Sequence, residues 1–165
     1  MRHTISVLVD NQAGVLSRVV GLFSGRGFNI ESLSVAPTLD STKSKMVITT
    51  TGNEQVLEQI KKQLNKLINV IKVIDCADRD YVEREMIVVK VKAEKETRAE
   101  VLRMADIFRA KVIDVSPASY TLSLTGDKRK LEGFVELLAP IGIIDFIRTG
   151  TVVMEREMQG RRKLS

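Results

Sequence analysis

A polar turn between a short apolar run and an amphipathic segment contains the residues best suited to chemistry. In the stretch "DNQAGVLSRVVGLF", residues 10–23, Asn11 and Gly14 stand just before an apolar periodicity begins. Glycine lets the backbone approach a ligand closely, and the first turn of a helix carries N–H groups that have no intrahelical partner. Together with the helix dipole, these groups favour a small anion such as a carboxylate. The turn therefore indicates an anion site, while an ordinary tight turn with Asn11 at the start of the helix fits the same residues.

Residues near this turn suit an α-amino acid. Asn11 and Asn29 each offer an amide that donates and accepts hydrogen bonds, which matches an ammonium and a carboxylate in one ligand. Val15, Leu16 and Ile30 are placed to enclose a small aliphatic side chain. This set contains no nucleophile and no general base, so it describes binding without turnover. The residues alone leave the amino-acid site and the ordinary turn open as alternatives.

Other residues of catalytic type are few. His3 is the only histidine and Cys76 the only cysteine, so we expect His3 to be structural and Cys76 to be a small buried residue at a strand end. The acidic residues of 75–85 alternate with Arg79 and Arg84, which is typical of a solvated linker. The glycines of "SGRGFNIE" supply only part of a dinucleotide-binding fingerprint. We therefore predict no catalytic residue, no metal site and no cofactor in this chain.

Composition narrows the class of protein further. Apolar residues make up 44% of the 165 residues and charged residues 28%, which is enough to form a core. The net charge is +5, but the basic residues are interleaved with acidic ones except in the tail "RRKLS". We therefore expect no nucleic-acid partner. The apolar runs are too short to span a bilayer and a secretory signal is not indicated, so we expect a cytoplasmic protein without membrane contact.

The apolar patterns predict two successive βαββαβ units. The first half predicts a strand over 4–10, a helix over 15–25, strands over 30–37 and 45–51, a helix opened by Gly52 and Asn53, and a strand over 70–76. The second half predicts a strand over 85–92, a helix over 97–109, strands over 111–116 and 120–125, a helix capped by Asp127, and a strand over 143–148.

This order predicts an α+β fold made of two tandem ferredoxin-like sandwiches, each an antiparallel sheet with helices on one face. The boundary falls in the charged stretch "CADRDYVERE", which gives a first domain over 1–78 and a second over 79–165. Units of this size have small cores and open sheet edges, so we expect a homodimer or a higher oligomer.

The sequence also resembles a known family over nearly its whole length. The segment "ISVLVDNQAGVLSRVVGLFSGRGFNIESLSVAPT" resembles the opening of the ACT domain in the small regulatory subunit of acetohydroxyacid synthase, also called acetolactate synthase. The segments "VLEQIKKQLNKLINVIKV", "VEREMIVVKV", "IFRAKVIDVSP" and "YTLSLTG" resemble the later blocks of that family, in the same order. The match is more specific than a general likeness to ACT domains.

The resemblance implies that the ACT domain pairs with a second copy and binds a branched-chain amino acid, typically valine, between the two. The valine carboxylate would meet the backbone amides around Asn11, Ala13, Gly14, Val15 and Leu16. Asn29 and Ile30 would come from the neighbouring chain. The family pattern also marks three candidate feedback-modulating positions, namely Ser17, Ala36 and Gln59.

The resemblance further implies a partner. The chain would bind the large catalytic subunit, which carries thiamine diphosphate, Mg²⁺ and FAD, would raise its activity, and would confer feedback inhibition in valine, leucine and isoleucine synthesis. The C-terminal domain would share in this contact. A free-standing ACT-domain sensor or transcriptional regulator is the alternative, although no helix-turn-helix pattern accompanies the two units.

Overall fold

The computed structural model describes residues 1–157, so the basic tail "RRKLS" lies outside the described residues. Two compact units are formed: Met1–Val82 together with residues 151–157, and Glu83–Gly150. Each unit contains an antiparallel sheet and two helices, which confirms the predicted α+β class of two ferredoxin-like sandwiches. Within residues 1–157, no helix is long and apolar enough to span a bilayer.

The first unit contains a four-stranded sheet in which β1 is a central strand. Its elements are β1 (Arg2–Asp10), α1 (Val15–Ser24), β2 (Ile30–Pro37), β3 (Lys43–Thr51), α2 (Glu54–Asn65), β4 (Val70–Asp75) and a turn of 3-10 helix (Cys76–Asp78). The strand order is β2-β3-β1-β4, and all neighbours run antiparallel.

Alternation along β1 decides which face of this sheet is covered. Ile5 and Val7 lie opposite Ile48 and Met46 of β3 and are fully buried. Since successive strand residues point to opposite faces, these side chains form one apolar face. The helices cover it with residues at helical spacing, namely Val15, Val19, Phe23, Leu57, Ile60 and Leu64. The residues that produce the apolar periodicity of the sequence therefore form the core of the first unit.

The second unit repeats this arrangement. Its elements are β5 (Tyr81–Lys92), α3 (Arg98–Phe108), β6 (Lys111–Val115), β7 (Ser119–Gly126), α4 (Lys128–Leu138) and β8 (Ile143–Arg148). The strand order is β6-β7-β5-β8, again antiparallel. Helices and sheet share an aliphatic core in which Phe108 and Phe134 are the aromatic pair, with ring centroids 5.1 Å apart.

A short strand near the end of the described chain was not predicted. β9 (Val152–Glu155) pairs with β5, whose first residues, Tyr81 and Val82, belong to the first unit as β9 does. There Val153 packs with Val47 and Cys76. The compact units thus differ from the expected division at 78/79, because residues 79–82 and 151–157 join the first unit. Four strand residues are too few to show a period, and charged neighbours hide the start of β5. The separate roles of the two domains stay a prediction.

The N-terminus of α1 lacks the side-chain cap that α2 and α4 have. Asn53 Oδ1 accepts a hydrogen bond from Val56 N at 2.9 Å, and Asp127 Oδ1 accepts one from Lys130 N at 2.9 Å. These side chains satisfy backbone donors that would otherwise lack partners. Gly14 precedes α1 and provides no side-chain cap. The start of α1 therefore keeps its donors exposed.

We predict that Asn53→Ala lowers the free energy of unfolding by about 1 kcal/mol, because the cap of α2 is lost. Urea denaturation followed by circular dichroism measures this change. Asn53→Asp is the matched control, since its carboxylate still accepts from Val56 N and favours the helix dipole. An equal loss of stability in both variants would contradict the capping role.

Candidate functional site

The β1–α1 turn presents Asn11, Ala13 and Gly14 at the surface of the first unit. Gly14 has φ 84° and ψ −10°, a left-handed conformation that favours glycine. Asn11 donates its backbone N–H to Thr42 O and its side-chain Nδ2 to Ser41 O, both at 2.8 Å. These bonds fix the turn against the hairpin loop that joins β2 to β3.

Four backbone N–H groups at this turn have no hydrogen-bond partner within residues 1–157. They belong to Ala13, Gly14, Leu16 and Ser17. The first helical bond runs from Arg18 N to Gly14 O at 3.0 Å. Because the unpartnered donors lie at the positive end of the helix dipole, the start of α1 is suited to a small anion.

A groove of about 270 Å³ lies beside these donors. Its lining residues come from β1, the β1–α1 turn, α1, β2 and β3, and are Val9, Asp10, Asn11, Gln12, Val15, Leu16, Val35, Ala36, Pro37, Ser44 and Met46. The volume is close to the lower limit of ligand pockets, ~300 Å³. The groove combines an amide-lined turn with aliphatic walls from Val15, Leu16 and Val35. Ala36, a candidate feedback-modulating position, lines the same groove.

The structure separates Asn29 and Ile30 from this groove. Ile30 pairs with Thr50, and Thr50 pairs with His3 at the beginning of β1, whereas Asn11 follows the end of β1. Asn29 O accepts a hydrogen bond from Thr50 Oγ1 at 2.7 Å. Asn29 and Ile30 therefore lie at the opposite end of the strands from the groove, and one chain does not bring both halves of the expected site together.

The other two candidate feedback-modulating positions, Ser17 and Gln59, lie outside the groove lining. Ser17 is exposed on the first turn of α1, and Gln59 is exposed on α2. Ser17 still contributes one of the unpartnered N–H groups at the turn. The structure gives no contact that links Gln59 to the groove.

Asp40 holds the hairpin loop that receives Asn11. Its carboxylate accepts from Thr42 Oγ1 at 2.6 Å and Thr42 N at 3.0 Å, and it pairs with Lys43 Nζ at 2.9 Å. These interactions, the Thr42 hydroxyl first among them, lower the pKa of Asp40 to about 2. A lowered pKa means that this support is complete above the ordinary carboxyl pKa and is lost as the pH falls through about 2. The loop therefore keeps its geometry at neutral pH.

His3 and Cys76 occupy structural environments. His3 is buried with Nε2 3.1 Å from Gly52 O, and because a carbonyl only accepts, Nε2–H is the donor. Cys76 is buried, and burial followed by the neighbouring Asp75 charge raises the pKa of its thiol to about 11. Among residues 1–157, no group of three or more His, Cys, Asp or Glu side chains is placed to hold a metal ion.

Several residues around the turn escaped the sequence analysis. Ser41 and Thr42 accept hydrogen bonds from Asn11, and Asn69 contacts the turn from its other side. Ser44 and Met46 line the groove. These residues are far from the turn in sequence and reach it through the strand order β2-β3-β1-β4, which no local motif reveals.

Known proteins match this chain over almost its full length. Residues 5–72 match a family model described as AHAS small subunit-like ACT domain, and residues 84–157 match one described as small subunit of acetolactate synthase. The acetolactate synthase small subunit of Haemophilus influenzae is 47% identical over 157 residues, covering 94% of this chain and 96% of that protein. The acetolactate synthase isozyme 3 small subunit of Escherichia coli is 48% identical over 157 residues, with the same coverage of both.

A solved structure agrees with these sequences. The crystal structure of the acetolactate synthase small subunit from Thermotoga maritima has a TM-score of 0.86 and 38% identity, covering 94% of this chain and 98% of that chain. The fold and the first family model define a protein with an ACT domain followed by a second α+β unit. More narrowly, the chain belongs to the family of acetolactate synthase small subunits, which confirms the resemblance seen in the sequence.

We predict that Cys76 reacts with iodoacetamide on the order of 100-fold more slowly in the native protein than in urea. Both burial and the raised pKa, about 11, keep the thiol neutral and inaccessible at pH 8. Mass spectrometry of samples quenched over time measures the two rates. Equal rates in the native and unfolded protein would contradict the buried environment.

Proposed function

We propose that this chain is the regulatory, non-catalytic subunit of acetolactate synthase, and that it activates the catalytic subunit and confers feedback inhibition by valine. The observation that carries this proposal is the set of four unpartnered N–H groups beside an aliphatic groove at the start of α1. The family supports the role in branched-chain amino acid synthesis. Thiamine diphosphate, Mg²⁺ and FAD belong to the catalytic partner in this proposal.

The turn and groove match the three parts of valine. The carboxylate accepts hydrogen bonds from the N–H groups of Ala13 and Gly14, at the positive end of the α1 dipole. Asn11 Nδ2 is already engaged with Ser41 O, so Asn11 Oδ1 is the atom available to accept from the ammonium group. The isopropyl group lies against Val15 and Leu16.

A second copy completes this site. β2 is an edge strand of its sheet, and the outer side of an edge strand can pair with a strand of another chain. When two β2 strands pair antiparallel about a two-fold axis, the beginning of one strand lies beside the end of the other. Asn29 and Ile30 of one chain then lie next to Ala36 of its partner, which lines the groove. This arrangement supports a homodimer with valine at the contact between chains.

Feedback requires that valine favour one arrangement of this dimer. A ligand shifts an equilibrium only through a difference in affinity between two states, and a site shared by two chains provides such a difference. The catalytic subunit would then respond to the arrangement that valine stabilises. The unpaired and buried Cys76 supports the expected cytoplasmic location.

We predict that Gly14→Asp abolishes valine inhibition of the reconstituted enzyme. The new carboxylate would stand where the ligand carboxylate must bind, and the two like charges repel each other. Calorimetric titration of the purified chain with valine, leucine and isoleucine would show at least about 100-fold weaker binding, equivalent to about 2.7 kcal/mol.

Gly14→Ala is the matched control. A Cβ at this position meets no atom within 4 Å, so alanine adds only the strain of a left-handed backbone. Binding of valine should weaken much less than in Gly14→Asp, and activation of the catalytic subunit reports that both variants fold and assemble. A Gly14→Asp protein that responds to valine like the unmodified chain would refute the site.

A further inference from the structure

Asn69 connects three parts of the polypeptide around the β1–α1 turn. It is half-buried in the loop between α2 and β4, directly before Val70. Its backbone O accepts from Asp10 N at 2.9 Å. Its side-chain Oδ1 accepts from Arg18 Nη1 at 2.6 Å, and Nδ2 donates to Asp10 Oδ2 at 3.3 Å and Gln12 Oε1 at 3.5 Å.

The chemistry of its partners determines the orientation of the Asn69 amide. Arginine is only a donor, so the amide oxygen must face Arg18. An ionised carboxylate is only an acceptor, so the amide nitrogen must face Asp10. A single asparagine thereby joins a cation and an anion through charge-assisted hydrogen bonds, of which the bond to Arg18 is the shortest.

Asn69 contacts residues on both sides of the turn in the sequence, before and after its unpartnered backbone donors. Asp10 precedes the turn, while Arg18 N makes the first helical bond after it, to Gly14 O. The unpartnered N–H groups of Ala13 and Gly14 lie between these two fixed points. Asn11 is held from the β3 side by the hairpin loop, and Asn69 provides the support from the β4 side.

We infer that Asn69 is a positioning residue for the amino-acid effector, which it does not need to touch. This inference rests on the proposed function of the turn. Gly14 gives the turn conformational freedom, and a free turn must lose that freedom when its N–H groups converge on a carboxylate. The Asn69 contacts order the turn beforehand, so the ordering cost is not subtracted from the binding free energy.

Valine titration of the full chain tests this role. Asn69→Ala removes all three side-chain contacts and should raise the Kd for valine about tenfold, equivalent to about 1.4 kcal/mol. Asn69→Asp keeps an acceptor for Arg18 but places a second carboxylate against that of Asp10, so it should also weaken valine binding. Asn69→Ser is too short to reach Arg18 and Asp10 together and should behave like Asn69→Ala, which provides a second variant if the alanine protein does not fold.

Asn65→Ala is the matched control. Asn65 lies at the end of α2, and its side chain donates to Lys61 O at 2.9 Å without contacting the turn. Its removal should leave the Kd for valine unchanged. Urea midpoints measured without valine separate stability from binding, because a merely structural Asn69 would change the midpoint and leave the Kd of the folded protein as it was.

The outcomes separate this inference from the proposed function. If the unmodified chain binds valine and Asn69→Ala binds it equally well, the positioning role is wrong and the valine site stands. If Asn69→Asp binds valine as tightly as the unmodified chain, the bond from Asn69 to Asp10 does not position the turn. If the unmodified chain binds none of the branched-chain amino acids, the valine site and the positioning role are both wrong.

Discussion

The placement of β1 between β3 and β4 is the constraint on which the rest of the first unit depends. Its register with β3 puts Ile5 and Val7 beneath the helices, opposite Ile48 and Met46. A slip by one residue would turn these side chains to the other face of the sheet and expose the core. The same slip would move the turn that follows β1 away from the hairpin loop. Core packing and site geometry therefore share one determinant.

The sequence predicts most elements because their apolar periods are complete. The strands Ile30–Pro37 and Ile143–Arg148 and the cap at Asp127 agree with the structure. β9 was missed because four residues in polar surroundings show no period. The part of the groove formed by the β1–α1 turn could be predicted from the sequence, because its residues follow one another in the chain. Ser44 and Asn69 could not, because only strand order brings distant segments to the turn.

The two units share an order of elements but differ at the start of their first helix. In the second unit, the backbone N–H groups of Thr97 and Arg98 both donate to Glu94 O. The Arg98 side chain also donates to Pro117 O at 2.8 Å and to Ala93 O at 3.4 Å. Thr97 N therefore has a partner in the second unit, whereas the corresponding N–H of Gly14 in the first unit has none within residues 1–157. Val15 N, which corresponds to Arg98 N, donates to Gln12 O.

The ion pair and hydrogen bonds of Asp40 determine how the loop that supports the β1–α1 turn responds to pH. Because the pKa of Asp40 is held at about 2, the loop that receives Asn11 keeps its charge throughout the range of acidity that a living cell tolerates. Histidine is the residue that most often acts as a pH switch, and His3, the only one in the chain, lies at the other end of β1. If the turn binds valine as proposed, the Asp40 loop adds no pH dependence of its own to that binding within this range.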